Sequence, residues 1–158
     1  MNPIFIGNWK MNHLKKDIIS FFYSLKTQKL PFKTRICPQS IHIPLLLDLC
    51  KSHEIEVGAQ NCYFENKGAF TGEISPLALK DLGCSFTLVG HSERRTFFGE
   101  SEELLSKKIK AALSADLEVV YCIGENLSER ENGQTEKVLS KQLSIIKTEK
   151  VIVAYEPV

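Results

Sequence analysis

Glu156, His91 and Lys10 are a carboxylate, an imidazole and an ammonium, and each stands where a short apolar run gives way to polar residues. A carboxylate can remove a proton from carbon next to a carbonyl, an imidazole can polarise that carbonyl, and an ammonium can stabilise the oxyanion that develops. Such a set defines a reaction class, proton abstraction α to a carbonyl. Asn8 stands beside Lys10 at the end of the same run, and Gln60 with Asn61 closes one further apolar run. Taken singly, each residue has an ordinary explanation as a solvated strand end, a structural histidine or a turn. Their common placement is what carries the chemistry.

The elements that must hold these groups are legible as apolar runs of strand length: PIFIGN, TRICP, IEVGAQN, FTLVG, LEVVYCI and VIVAYE. The runs are continuous rather than alternating, which predicts strands buried on both faces. Between them lie segments of helical period: HLKKDIISFFYSLK, SIHIPLLLDLCK, SPLALKDLG, SEELLSKKIKAALSA and TEKVLSKQLSIIK. Ser75 with Pro76, and Ser101 with Glu103, are helix-opening pairs. Strand and helix alternate throughout, so the chain predicts an α/β fold of right-handed βαβ units around a parallel sheet. In such folds functional residues gather at the carboxyl ends of the strands, where Asn8, Lys10, Gln60, Asn61, His91 and Glu156 fall. The irregular stretch NCYFENKGAFTGEIS is long enough to carry function.

A formal net charge of +1 over 158 residues exerts no general attraction on polyanions, so neither nucleic acid nor an anionic membrane is an expected partner. The five cysteines are odd in number and lack a C-x-x-C pair, which suits reduced, buried thiols. The four histidines have no ligand spacing with them, and no metal is expected. The amino terminus lacks the pattern of a secretion signal, and no stretch approaches the roughly 20 apolar residues of a membrane span. The expected location is the cytoplasm.

In order along the chain, GNWKMN at 7–12, GAQNCY at 58–63, GAFTGEIS at 68–75, GHSERR at 90–95, FGE at 98–100, CIGE at 122–125 and AYEPV at 154–158 resemble triosephosphate isomerase. The resemblance implies a parallel (β/α)8 barrel of which about six βα units are present, read as one domain over 1–158. It implies interconversion of dihydroxyacetone phosphate and glyceraldehyde 3-phosphate without a cofactor, in glycolysis and gluconeogenesis. By the roles known for this family, Glu156 would shuttle the proton and His91 would be the neutral electrophile. Lys10 would supply positive charge to the substrate, with Asn8 a neighbouring donor. Glu93 would be the carboxylate beside the lysine and histidine, Ser92 would open a helix at His91, and Cys122 would pack near the base. Gln60 and Asn61 would support the site, and Thr71 would reach into a second subunit, implying a homodimer. Pro157 biases Glu156 toward extended backbone.

Asp116 departs from the family pattern, which usually has Gly before that strand, and the segment from Gly133 to Lys150 is somewhat short. The family continues beyond Val158 with a lid and two further βα units, so the resemblance implies a chain truncated at its carboxyl end, with Pro157 and Val158 as the first lid-hinge residues. Strands one and six would then be open edges. The alternative reading is a catalytically inactive fragment acting by self-association or partner binding. An open doubly wound nucleotide fold has no support, because the strand-to-helix turns carry no glycine-rich phosphate loop.

Overall fold

The computed structural model describes residues 3–25, 30 and 32–157. Lys26, expected at the end of the first helix, and Val158, expected in the hinge, lie outside the described residues. In chain order the elements are β1 (Ile4–Asn8), α1 (Lys15–Leu25), β2 (Lys33–Cys37), α2 (Ile43–Cys50), β3 (Ile55–Ala59), α3 (Pro76–Leu82) and β4 (Phe86–Val89). They continue with α4 (Ser92–Phe98), α5 (Glu102–Ser114), β5 (Glu118–Ile123), α6 (Leu127–Glu131), α7 (Thr135–Leu143) and β6 (Val151–Tyr155). Each strand pairs in parallel with the next, in the order β1-β2-β3-β4-β5-β6. This is the architecture of a partial (β/α)8 barrel.

Both faces of the four central strands, β2 to β5, are covered, which is why they read as unbroken apolar runs. On one face Ile36, Val57, Val89, Val119, Tyr121 and Ile123 pack with Ile18, Phe22, Leu46, Leu79, Leu105 and Ile109 of the helices. On the other, Cys37, Phe86, Leu88 and Val120 form an inner cluster joined by Ile6, Ile152 and Ala154. Phe86 is fully buried, and burial of one such ring is worth about 1.5–3 kcal/mol. Gly58 makes that position possible, since a Cβ there would overlap the Phe86 ring. One strand layer below, Arg35 is 3% exposed. Its guanidinium pairs with Glu56 at 2.7 Å and with Glu118, and lies 5.0 Å from the centre of the Phe86 ring.

The helix ends follow the sequence closely. Ser75 Oγ accepts from Ala78 N–H at 3.3 Å, and Gly83 at φ +108° closes α3. Ser101 Oγ accepts from Leu104 N–H at 3.3 Å to start α5. A 3-10 turn, Ser40–His42, precedes α2, whose first turn takes Pro44. Helix α6 is an addition to the sequence reading, started by a capping box between Asn126 and Glu129. Asp116 takes φ +58°, which explains why Gly is usual there; its carboxylate accepts from Lys80 Nζ at 2.6 Å.

At the edges, β1 and β6 each have one strand partner among the described residues, and Phe5 and Tyr155 are 60% and 51% exposed. The 61–75 loop is irregular, closed by Tyr63 N–H donating to Ile74 O at 2.8 Å and by Tyr63 packing on Phe64 and Phe70. All five cysteines are buried and unpaired. Among the described residues, no helix is long and apolar enough to cross a membrane.

Candidate active site

Lys10 follows β1 in a left-handed conformation, φ +52°, a position that costs a side chain other than Gly about 1–3 kcal/mol unless its surroundings hold it. They do so at both ends. Asn8 Oδ1 accepts the Lys10 N–H at 3.0 Å, and Gln60 Nε2 donates to Lys10 O at 2.8 Å and to Cys37 O at 2.9 Å. Three strand ends are thereby tied together, and the Lys10 ammonium lands 2.7 Å from Glu93 Oε1. That hydrogen bond from Lys10, outweighing a small cost of burial, holds the Glu93 carboxyl below its ordinary range.

His91 sits between β4 and α4, after Gly90 at φ +76°, and is 8% exposed. Its Nδ1 accepts the Glu93 N–H at 3.2 Å, so the ring itself caps α4. An accepting Nδ1 assigns the ring proton of the neutral imidazole to Nε2. That nitrogen is 3.3 Å from Glu156 Oε2.

Glu156 leaves β6 with its N–H donating to Ile123 O at 2.8 Å, and its Oε1 accepts the Ser92 N–H at 3.3 Å. The carboxylate thus rests on the positive end of α4. Cys122 pairs in register with Ala154 and so shares a strand face with Glu156. Burial first, and then the charge of Glu156, push the Cys122 thiol far up, leaving it a neutral packing group.

A cavity of about 320 Å³ opens over Asn8, Lys10, Gln60, His91 and Glu93, with Arg94 and Phe98 on its α4 wall. That is the lower end of small-ligand pockets. Glu156 does not line it, because its carboxylate is turned onto Ser92 and His91. Asn61 also lies apart: its Oδ1 accepts from Lys108 Nζ at 2.8 Å. Lys108 in turn pairs with the buried Glu100 at 2.6 Å, and Glu100 holds Arg94 at 2.6 Å. Asn61 is thus linked to the cavity wall through Lys108, Glu100 and Arg94. Thr71 is exposed in the 61–75 loop, next to Gly72 at φ +92°.

Gln39 and Ser40, also on the cavity, lacked any motif that would single them out. Glu125 was quoted only within CIGE, yet it is 1% exposed and accepts from Tyr155 Oη at 2.9 Å and Thr135 Oγ1 at 3.2 Å. A bond from its own backbone amide leads these contacts in holding its carboxyl below the ordinary range.

A family model described as triosephosphate isomerase matches residues 3–158. The chain is similar to the triosephosphate isomerase of Clostridium tetani, 41% identical over 164 residues that cover 98% of this chain and 64% of that protein. Its identity to the triosephosphate isomerase of Endomicrobium trichonymphae is 43% over 166 residues, covering 99% and 66%. For that of Dictyoglomus turgidum it is 39% over 165 residues, covering 98% and 66%. The chain spans just under two thirds of the length of these curated relatives.

Proposed function

The chain belongs to the triosephosphate isomerase family, and from that premise we propose that it carries the proton-transfer residues of an enzyme interconverting dihydroxyacetone phosphate and D-glyceraldehyde 3-phosphate. The observation that carries the assignment is the 3.3 Å contact between Glu156 Oε2 and Nε2 of His91, whose Nδ1 accepts the Glu93 N–H. The Glu156 carboxylate takes a proton from C1 of dihydroxyacetone phosphate, and the freed electron pair forms a C1–C2 double bond as the carbonyl electrons move onto O2. His91 Nε2–H and the Lys10 ammonium stabilise that oxyanion, as is known for this family. Glu156 returns the proton to C2 while His91 gives its Nε2 proton to O2 and takes the O1 proton in its place, so that C1 becomes the aldehyde and C2 carries the hydroxyl.

The remaining groups position these three. Asn8 and Gln60 hold the Lys10 backbone, Glu93 holds both its ammonium and the His91 tautomer, and Ser92 holds the carboxylate at rest. Turnover requires Glu156 to leave the Ser92 N–H and swing over the cavity, where the substrate lies against Lys10 and His91. In this reading the protein is a single barrel domain, works without a cofactor in the cytoplasm, and forms a homodimer through Thr71 and its loop, with no nucleic-acid or membrane partner.

The test is a coupled assay on the intact protein, following glyceraldehyde 3-phosphate made from dihydroxyacetone phosphate, for the wild type and Lys10→Ala. Robust wild-type turnover with loss of both kcat and substrate affinity in the variant is expected. A folded wild type without turnover, or a silent Lys10→Ala, contradicts the assignment.

A further inference from the structure

We propose that Gln142 is a positioning residue for the base, acting through Gly124 on the backbone of Glu156. The inference rests on Glu156 being the base, as assigned above. Gln142, in the last turn of α7, is 7% exposed, and its side-chain amide brackets one residue. Oε1 accepts the Gly124 N–H at 2.9 Å, and Nε2 donates to Gly124 O at 3.0 Å. The amide therefore pairs with Gly124 as a neighbouring strand would, extending the order of β5 one residue past its end.

Gly124 is where the backbone of Glu156 rests. A Cβ at 124 would overlap the Glu156 carbonyl oxygen, lie 2.7 Å from the Glu156 carbonyl carbon and 3.2 Å from Pro157 N. The preceding residue, Ile123, accepts the Glu156 N–H at 2.8 Å. Both ends of the Glu156 peptide unit are thus referenced to residues 123 and 124, and Gln142 fixes 124.

The same strut reaches the imidazole. Tyr121 Oη lies 3.1 Å from Gln142 O and 2.8 Å from Glu102 Oε2, two acceptors that share its one proton, and receives Arg95 Nη2 at 3.0 Å. Arg95 Nε donates to Gly90 O at 2.8 Å, immediately before His91, and Nη2 to Cys122 O at 3.2 Å. One buried network therefore sets the distance between the strand end that carries His91 and the one that carries Glu156.

A base displaced by about 1 Å loses on the order of a hundredfold in rate, so a partial shift reads out as a kcat effect. In the intact protein, assayed well below each variant's Tm, Gln142→Met removes both bonds at constant side-chain length. It is expected to lower kcat about tenfold or more while KM stays within about twofold. Gln142→Glu, which sets a carboxylate against Gly124 O, gives the same split and serves if the Met variant does not fold. In a Glu156→Asp background, where the base is already set back, the Gln142 change adds less than about threefold, because the two act on one coordinate.

A variant that loses Tm but keeps kcat within twofold overturns the proposal, as do losses that multiply fully in the Glu156→Asp background. Those results are distinct from a folded wild type without isomerase activity, which overturns the isomerase reading itself.

Discussion

Shortening Glu156 by one methylene tests the assignment of the base without removing its charge. In Glu156→Asp the carboxylate retreats by about 1.3 Å, the advance of one C–C bond along the chain. The backbone cannot follow, because the Glu156 N–H is bonded to Ile123 O at 2.8 Å and its carbonyl is seated on Gly124. Contacts of 3.3 Å to His91 Nε2 and to the Ser92 N–H then open past hydrogen-bonding reach. A misplacement of this size costs on the order of a hundredfold to a thousandfold in the chemical step, about 2.7–4 kcal/mol of barrier. Substrate affinity is expected to hold within about threefold, since the cavity is lined by Asn8, Lys10, Gln60 and His91 and not by Glu156. The coupled assay, run in both directions on the intact protein over a range of substrate, gives kcat and KM separately. A kcat within fivefold of wild type, or a loss carried mainly by KM, would refute the role given to Glu156.

Three further outcomes follow from the same contacts. Burial alone would raise the Glu56 carboxyl, but the hydrogen bond from Lys33 and the charge and hydrogen bond of Arg35 outweigh it, so its folded value lies below the unfolded one. Its stabilisation is complete above the unfolded carboxylate value of about 4.3 and is lost as pH falls through the lower folded one; Glu56→Gln should flatten the acid limb of the Tm profile, and an unchanged slope contradicts this. Burial pushes the Cys50 thiol up to about 12 and Cys62 and Cys84 to about 11, and raises Cys37 and Cys122 further. Ellman's reagent at pH 8 should find none of the five thiols in the native protein and all five after unfolding, whereas one fast native thiol contradicts the burial. Thr71→Arg, in the exposed loop, should shift the intact protein from dimer to monomer in sedimentation, and an unaltered mass removes the loop from the proposed interface.

The four central strands were readable because burial on both faces leaves unbroken apolar runs, and parallel order follows from the alternation of strands with helices. The rim was readable for the same reason: parallel strands deliver Asn8, Gln60, His91 and Glu156 to one end of the sheet. Less was visible where polarity hides structure. Helix α6 is five residues held by a capping box inside NLSEREN, with no apolar period to mark it. Helix α7 ends at Leu143, although the apolar pattern runs on through Ile145 and Ile146, which pack on the core from beyond the helix.

The direction of the Glu156 carboxylate is set by Ser92, 64 residues away, and the left-handed turn at Lys10 is held by Asn8 locally and by Gln60 from 50 residues away. No local pattern encodes the distant partners. Asn61, read with Gln60 as a supporting residue at the end of the third strand, lies two residues past β3, and its Oδ1 accepts from Lys108, a partner 47 residues away. Gln142 looks like one polar residue on an amphipathic helix until its amide is seen to complete the end of β5.

The most direct test of the account follows solvent hydrogen. When the intact protein converts dihydroxyacetone phosphate in D2O, proton NMR should show deuterium entering carbon at one of the two C1 positions of the substrate pool and at C2 of the product. The same experiment with Glu156→Gln should show no exchange above background. Interconversion without deuterium on carbon, or exchange at the wild-type rate in Glu156→Gln, would contradict proton transfer by Glu156.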